Sequence, residues 1–395
     1  MTRPEQHRFI SFEYNTAHLT ADMWVSFGEA MSKCQHLAGV PLKPSAAEHM
    51  KAVSLVRGVQ ATTAIEGNML SEEEVRRIVA KESPKVPPSQ DYMEREVRNV
   101  LEAIEEIDDA LAAGHTIPIT PHRLCELNAT VLKGVADESK VAPGRLRTHN
   151  VTVGPYLAPD HADLPELVER LTRWLSELRG QLTEASTDRE RFVNAVLAAI
   201  LAHLYIAWIH PFGDGNGRVA RLIEVQILSE SGVIPIVATN LLSDHYNKTR
   251  SRYYSVLDRA RGNPTEFVAY ALQGFLDEVR SQIAIVREES KAIHWESYVF
   301  ERFRAQPSTV ARDRQRLLAL TLPVTWTTAE EATELTPQIA KKYGSAGPRI
   351  PARDLNDLVK MNLVQKRGRH YRARRSIIEA FIPPTWEDRH PDTLF

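Results

Sequence analysis

Residues 210–221 read "HPFGDGNGRVAR". An apolar run, "FVNAVLAAILAHLYIAWI" (192–209), leads into them. Pro211 disfavours helix at the residue before it, so that run closes as a helix at His210. Gly213, Gly215 and Gly217 then form a loop, and a new helix starts near Arg218. Such a loop can turn successive N–H groups into one concavity, and the following helix start adds partial positive charge. The expectation is a phosphate site. Arg218 and Arg221, three apart, share a face and both reach it. Asp214, an acid among cations, suits Mg²⁺, which binds through one or two carboxylates plus substrate phosphates. His210 supplies a base that titrates near neutrality. Other phosphate motifs do not fit. GxxxxGK(S/T) is absent, and Arg218 breaks GxGxxG in a run that follows a helix instead of a strand.

The 18-residue apolar run is near the length of a membrane span. Asn194, His203 and the polar loop after it argue for the buried centre of a helical domain, so no membrane is expected. The chain of 395 residues has length for two or three domains, with 43% hydrophobic and 25% charged residues. A net charge of −2 excludes a wholesale polycation, leaving nucleic-acid contact to a local patch. Cys34 and Cys125 form no disulfide framework or metal spacing, which fits a reducing cytoplasm. The N-terminus lacks a signal-type apolar core.

Helical periodicity dominates, over 46–61, 93–113, 120–132, 164–182, 190–209, 218–231, 247–260 and 265–289. Ser71 with Glu74 reads as a capping box, Thr120-Pro121 and Asn263-Pro264 as helix starts, and Gly232 as a stop. "THNVTVGPY" (148–156) reads as a small hairpin, and "ESPKVPPSQ" (82–90) as a loop. Near residue 305 the composition shifts. Three short helices (311–322, 327–335, 351–364) and the basic "QKRGRHYRARR" (365–375) outline a winged helix-turn-helix after a helix at 293–304.

The 210–221 run is similar, without a departure, to the Fic-family signature His-x-Phe-x-Asp/Glu-Gly-Asn-Gly-Arg-x-x-Arg. The resemblance implies a mainly α protein with a Fic helical core and a β-hairpin flap. It gives an N-terminal helical region at 1–115, the core at 116–290, a linker helix at 291–310 and the winged-helix-like domain at 311–395. Most Fic proteins are AMP transferases. On that resemblance His210 takes a proton from a target hydroxyl, Phe212 anchors the loop and Asp214 holds Mg²⁺. Asn216 with the backbone of Gly215 and Gly217 cradles the α- and β-phosphates of ATP, while Arg218 meets the β- and Arg221 the γ-phosphate. A lysine at 217 goes with a phosphate-transferring variant, so Gly217 favours AMP transfer. Asn247, Tyr253 and Tyr254 are candidates for the nucleobase pocket, with a core role for the tyrosines equally open. The hairpin would hold a target segment by strand addition.

"TTAIEGN" (62–68) looks at first like a helix end capped by Gly67. It also resembles the self-regulating Fic motif Ser/Thr-x-x-x-Glu-Gly/Asn through Thr62, Glu66 and Gly67. The resemblance implies that Glu66 pairs with Arg221 and denies the γ-phosphate its partner. Removal of AMP, transfer of UMP or phosphocholine, and a nucleotide-responsive DNA-binding role stay open. For 365–375 the choice lies between DNA and a protein partner. A homodimer is undecided at this point.

Overall fold

The computed structural model describes residues 7–82, 87–136, 141–344 and 346–378. Part of the expected 82–90 loop and residues 379–395 of the expected C-terminal domain lie outside them. Two units are delimited, Met1–Ala284 and Ile285–Phe395.

In the first unit the order is α1 (Ala21–Gly39), α2 (Pro44–Ile65), α3 (Glu72–Val79), α4 (Asp91–Ala112) and α5 (Pro121–Leu132). A hairpin follows, β1 (Thr152–Val153) and β2 (Tyr156–Leu157), then α6 (Leu164–Glu184), α7 (Asp188–Ile209) and α8 (Asn216–Glu230). Next come α9 (Ile236–Thr239), α10 (Leu241–Lys248), α11 (Arg250–Arg259) and α12 (Pro264–Arg304). Helix α7 is the apolar run, packed between α6 and α8. It has the length and hydropathy of a membrane span, yet 89% of its most apolar window is buried in the fold. Side-chain caps set several boundaries. Ser71 and Glu74 make the reciprocal box on α3, Thr120 caps α5, and Thr187 caps α7. Gly232 (φ 69°) adopts the left-handed turn that ends α8.

Three boundaries differ from expectation. The 247–260 segment splits at Thr249, whose hydroxyl bonds back to the His245 carbonyl and whose backbone leaves the helical region. The helices expected at 265–289 and 293–304 are one 41-residue helix, because "SKA" between them holds no breaker. The boundary between units therefore falls inside α12 and not at residue 291. Helix α1, capped by Thr20, was not expected at all.

In the second unit, the C-terminal part of α12 is followed by α13 (Val310–Thr321), β3 (Thr327–Thr328), α14 (Pro337–Tyr343), α15 (Ile350–Lys360), β4 (Val364–Arg367) and β5 (His370–Ala373). The helix expected at 327–335 is instead a strand and a 3-10 turn. Thr327 pairs with Tyr371, and Thr336-Pro337 starts the helix later. The sheet is antiparallel in the order β3-β5-β4. Leu318, Leu322, Ile339, Leu355, Leu358 and Tyr371 belong to the core of this unit, with Trp295 and Val299 of α12.

Candidate active site

Helix α7 ends on His210 in the left-handed conformation (φ 49°, ψ 60°), which turns the chain into the loop. A residue with a Cβ held there is uncommon, and here the surroundings over-determine it. Phe212 is fully buried beneath the loop. Asn216 clamps it, accepting from Phe212 N (2.9 Å) and donating to the Phe212 carbonyl (2.8 Å). The Asn216 side chain is thus committed to loop shape. Gly215 (φ 79°) caps α8, and a Cβ there would meet Asn128 Nδ2 at 2.9 Å. The fully buried Asn128 donates to the Asp214 carbonyl (2.8 Å) and accepts from Gly144 N (2.9 Å), tying the loop to α5 and to the 141–147 segment.

Arg218 and Arg221 are 3% and 1% exposed on the first turns of α8. Arg218 donates to Glu96 of α4 (3.0 Å) and lies 3.3 Å from both Asp214 oxygens. Arg221 donates through Nη2 to Glu66 (2.6 Å) and to the Thr62 carbonyl (3.0 Å). Its Nε and Nη1, and Arg218 Nε, are buried and lack a hydrogen-bond partner among the described residues. Buried donors are normally paired, so three such N–H groups beside a helix start mark a place for an anion.

Glu66 is the C-cap of α2, and Gly67 (φ 101°) makes the left-handed turn after it. Burial works against the Glu66 charge, but Arg221, with Arg218 and Arg250 beyond it, holds the carboxyl below its ordinary range. Gly217 leaves room for it, since a Cβ at 217 would stand 2.4 Å from Glu66 Oε1. Asn68 pins the turn to α4, donating to the Met93 carbonyl and to Glu96 Oε2 (both 2.9 Å). Glu96 therefore bridges the Glu66 turn and Arg218.

Burial pushes the His210 imidazole down to about 4, helped by the nearby Arg147 charge and opposed by Glu66 and Asp214. It is neutral at pH 7.

The hairpin pairs Thr152 with Leu157 and Val153 with Tyr156 around Gly154-Pro155; among the described residues no third strand joins it, and on the β2 side His7 Nε2 lies 3.0 Å from the Leu157 carbonyl. Tyr156 donates to the Trp208 carbonyl (2.7 Å), fixing the hairpin to the end of α7. A cavity of about 430 Å³ lies between the hairpin, Ala207-Trp208 and α11, lined by Tyr254, Leu257, Asp258 and Arg261 among others. Tyr254 is 45% exposed there. Tyr253 is core: its hydroxyl meets His203 Nε2 at 2.8 Å, and His203 Nδ1 lies 3.0 Å from the buried Glu224. Asn247 sits on α10 and does not line the cavity.

Sequence reasoning missed Asn68, Glu96, Asn128, Arg147, Arg261 and Asp258. Asn128 carries a signal, a polar residue in an otherwise apolar helical stripe. Nothing in "GRLRTHN" separates Arg147 from Arg145. No group of three or more His, Cys, Asp or Glu that could hold a metal occurs among the described residues, so Asp214 is a single-carboxylate candidate. In the second unit several cations of the basic run are spent locally. Lys366 donates to Asn356, Arg372 to Gln365, and Arg374 to Asn362.

Residues 118–228 match the Fic/DOC family. Protein adenylyltransferase fic-1 of Caenorhabditis elegans is 30% identical over 237 residues, 60% of this chain and 42% of that protein. Protein adenylyltransferase Fic of Drosophila melanogaster is 28% identical over 257 residues, 64% of this chain and 48% of that protein. The chain spans a little under half the length of these curated relatives. Among solved structures, a Fic family protein from Desulfovibrio desulfuricans aligns with a TM-score of 0.55 at 20% identity, covering 91% of this chain and 98% of that one. Fic-1 from C. elegans aligns with a TM-score of 0.55 at 23% identity, over 68% and 74%.

Proposed function

We propose that this chain, which carries a Fic domain, transfers AMP from ATP to a hydroxyl side chain of a protein, its own included, and that Glu66 holds it in a repressed state. The observation that supports this best is the buried Arg221, one N–H bonded to Glu66 and two N–H groups left without partners at the start of α8. In the reaction the target oxygen attacks the α-phosphorus as His210 takes its proton. The new O–P bond forms while the bond from the α-phosphorus to the bridging oxygen breaks, and pyrophosphate leaves. Neutral His210 suits the base role. The N–H groups of Asn216 and Gly217 serve the α- and β-phosphates, joined by that of Gly215 once it leaves Asp214 Oδ1 (2.5 Å), with Arg218 on the β- and Arg221 on the γ-phosphate. The half-exposed Asp214 carboxylate would hold a Mg²⁺ of the kind that binds through one or two carboxylates. When bound, such a cation would supply charge neutralisation for the pyrophosphate. The cavity behind the hairpin receives the nucleobase against Tyr254, and the β1 edge of the hairpin takes an extended target segment. While Glu66 occupies Arg221, the γ-phosphate has no partner and ATP settles with its α-phosphate out of line.

Mass spectrometry of Glu66→Gly incubated with ATP and Mg²⁺ tests the chemistry. An added AMP is expected on a hydroxyl residue, and none when His210→Ala is combined with it. An added UMP from UTP in preference, or modification that survives His210→Ala, contradicts the reading. No observation favours a second activity for the basic 365–375 hairpin.

A further inference from the structure

Arg147 lies just ahead of the hairpin and is 5% exposed. All three of its side-chain nitrogens donate to backbone carbonyls. Nε reaches His210 (2.9 Å), Nη1 reaches His149 (2.7 Å) and Nη2 reaches Pro159 (2.5 Å). Its backbone N–H donates to the Pro211 carbonyl (3.0 Å). Among the described residues none of its hydrogen bonds goes to a carboxylate, although the charge of Asp160 acts on it. A buried guanidinium without an ion-pair partner is costly unless its position is used. Here the partners come from three places: the exit of α7 at His210-Pro211, the segment leading into the hairpin at His149, and the segment leaving it at Pro159. One side chain therefore ties the left-handed His210 to both roots of the hairpin.

We propose that Arg147 is a positioning residue for transfer, one that fixes the His210 imidazole relative to the hairpin on which the target hydroxyl is presented. This rests on the AMP-transfer reading. His210 and the target segment belong to different chain segments, and a base displaced by an ångström loses much of its effect. Two features separate this role from general support of the fold. The bonds are made to the residues that carry the base and the hairpin. The cation is also held on the carbonyl of the residue that carries the imidazole, and its charge opposes protonation of that ring.

The test compares Arg147→Lys and Arg147→Gln, each in the Glu66→Gly background. With either change, KM for ATP stays within about threefold and kcat falls by roughly tenfold to a hundredfold, since the phosphate groups are untouched and the base is misplaced. The His210 imidazole is followed by NMR, with His210→Ala assigning its signal, and this readout needs no turnover. Its titration moves to higher pH in Arg147→Gln, where the charge is lost, and stays near that of the Glu66→Gly protein in Arg147→Lys. An unchanged kcat in both variants overturns the proposal. So does an identical His210 titration in all three proteins, or a loss of folding severe enough that neither variant binds ATP. Inactivity of Glu66→Gly itself would count against AMP transfer and leave the titration to decide on Arg147.

Discussion

Arg218 and Arg221 stand three residues apart on α8, and both are buried, yet their surroundings are opposite. Arg218 has two carboxylates, Glu96 from α4 and Asp214 from the loop. Arg221 has one, Glu66, whose side chain keeps 27% of its surface exposed at the end of α2. Arg218 is held from two sides, with its Nε left over for an anion. On the proposed reading, the Glu66 contact is the one that gives way when Arg221 takes an anion. A frame residue and a removable plug thus differ in how many counter-charges reach the guanidinium and in how firmly those are held. Glu96 belongs to the frame on one side and, through Asn68, steadies the plug on the other.

The largest effect concerns neither arginine. His210→Ala in the Glu66→Gly background removes the base and lowers labelling about 10²- to 10⁴-fold, whatever the state of Arg221. Residual labelling near the Glu66→Gly level would place the base elsewhere. Next, Glu96→Ala strips the frame arginine of its closest charge partner. Breaking a buried pair costs about 3–5 kcal/mol, so the melting temperature falls by roughly 6 °C or more and activity drops. Glu66→Gly loses less stability and gains activity. If Glu96→Ala also activates without a drop in stability, the distinction between frame and plug is lost. Asn68→Ala should raise wild-type labelling a few-fold, since bonds of this kind to a charged group contribute about 1.5–3 kcal/mol and only part of that holds Glu66. The rise should vanish when Glu66 is already Gly, and additive effects would show that Asn68 acts on something else. Smallest is the titration of His210 by NMR, with a midpoint near 4 and well below the ordinary 6.5. Between those values the unfolded chain binds a proton that the folded chain does not. Folding stability from this residue is therefore full above about 6.5 and declines as the pH falls through the window. A midpoint near 6.5 would mean that the imidazole is solvated.

The loop and its two helices were legible because the chemistry is local. Proline, glycines and arginines act within twelve residues. Glu66 was legible only through its motif, since nothing in 62–68 names a partner 155 residues away. The remaining site residues were hidden for a related reason. Arg147, Asn128 and Asn68 act on backbone carbonyls and N–H groups, and the position of a backbone group in the fold leaves no mark in composition or periodicity. Tyr253 and Tyr254 are adjacent and identical in type, yet one is sealed against His203 and the other borders the cavity, which a helical face alone could not divide. Among the fold elements, the 327–335 segment went astray because a two-residue strand is fixed by its distant partner Tyr371 and not by its own propensity.

The central claim is that one carboxylate on one arginine keeps the enzyme closed. Rates of self-labelling from ATP carrying radioactive α-phosphate, measured side by side for the wild type and Glu66→Gly with Mg²⁺, test it most directly. The account predicts a rate at least tenfold higher for Glu66→Gly, consistent with loss of a charge-assisted bond. Equal rates in two folded, ATP-binding proteins would contradict it.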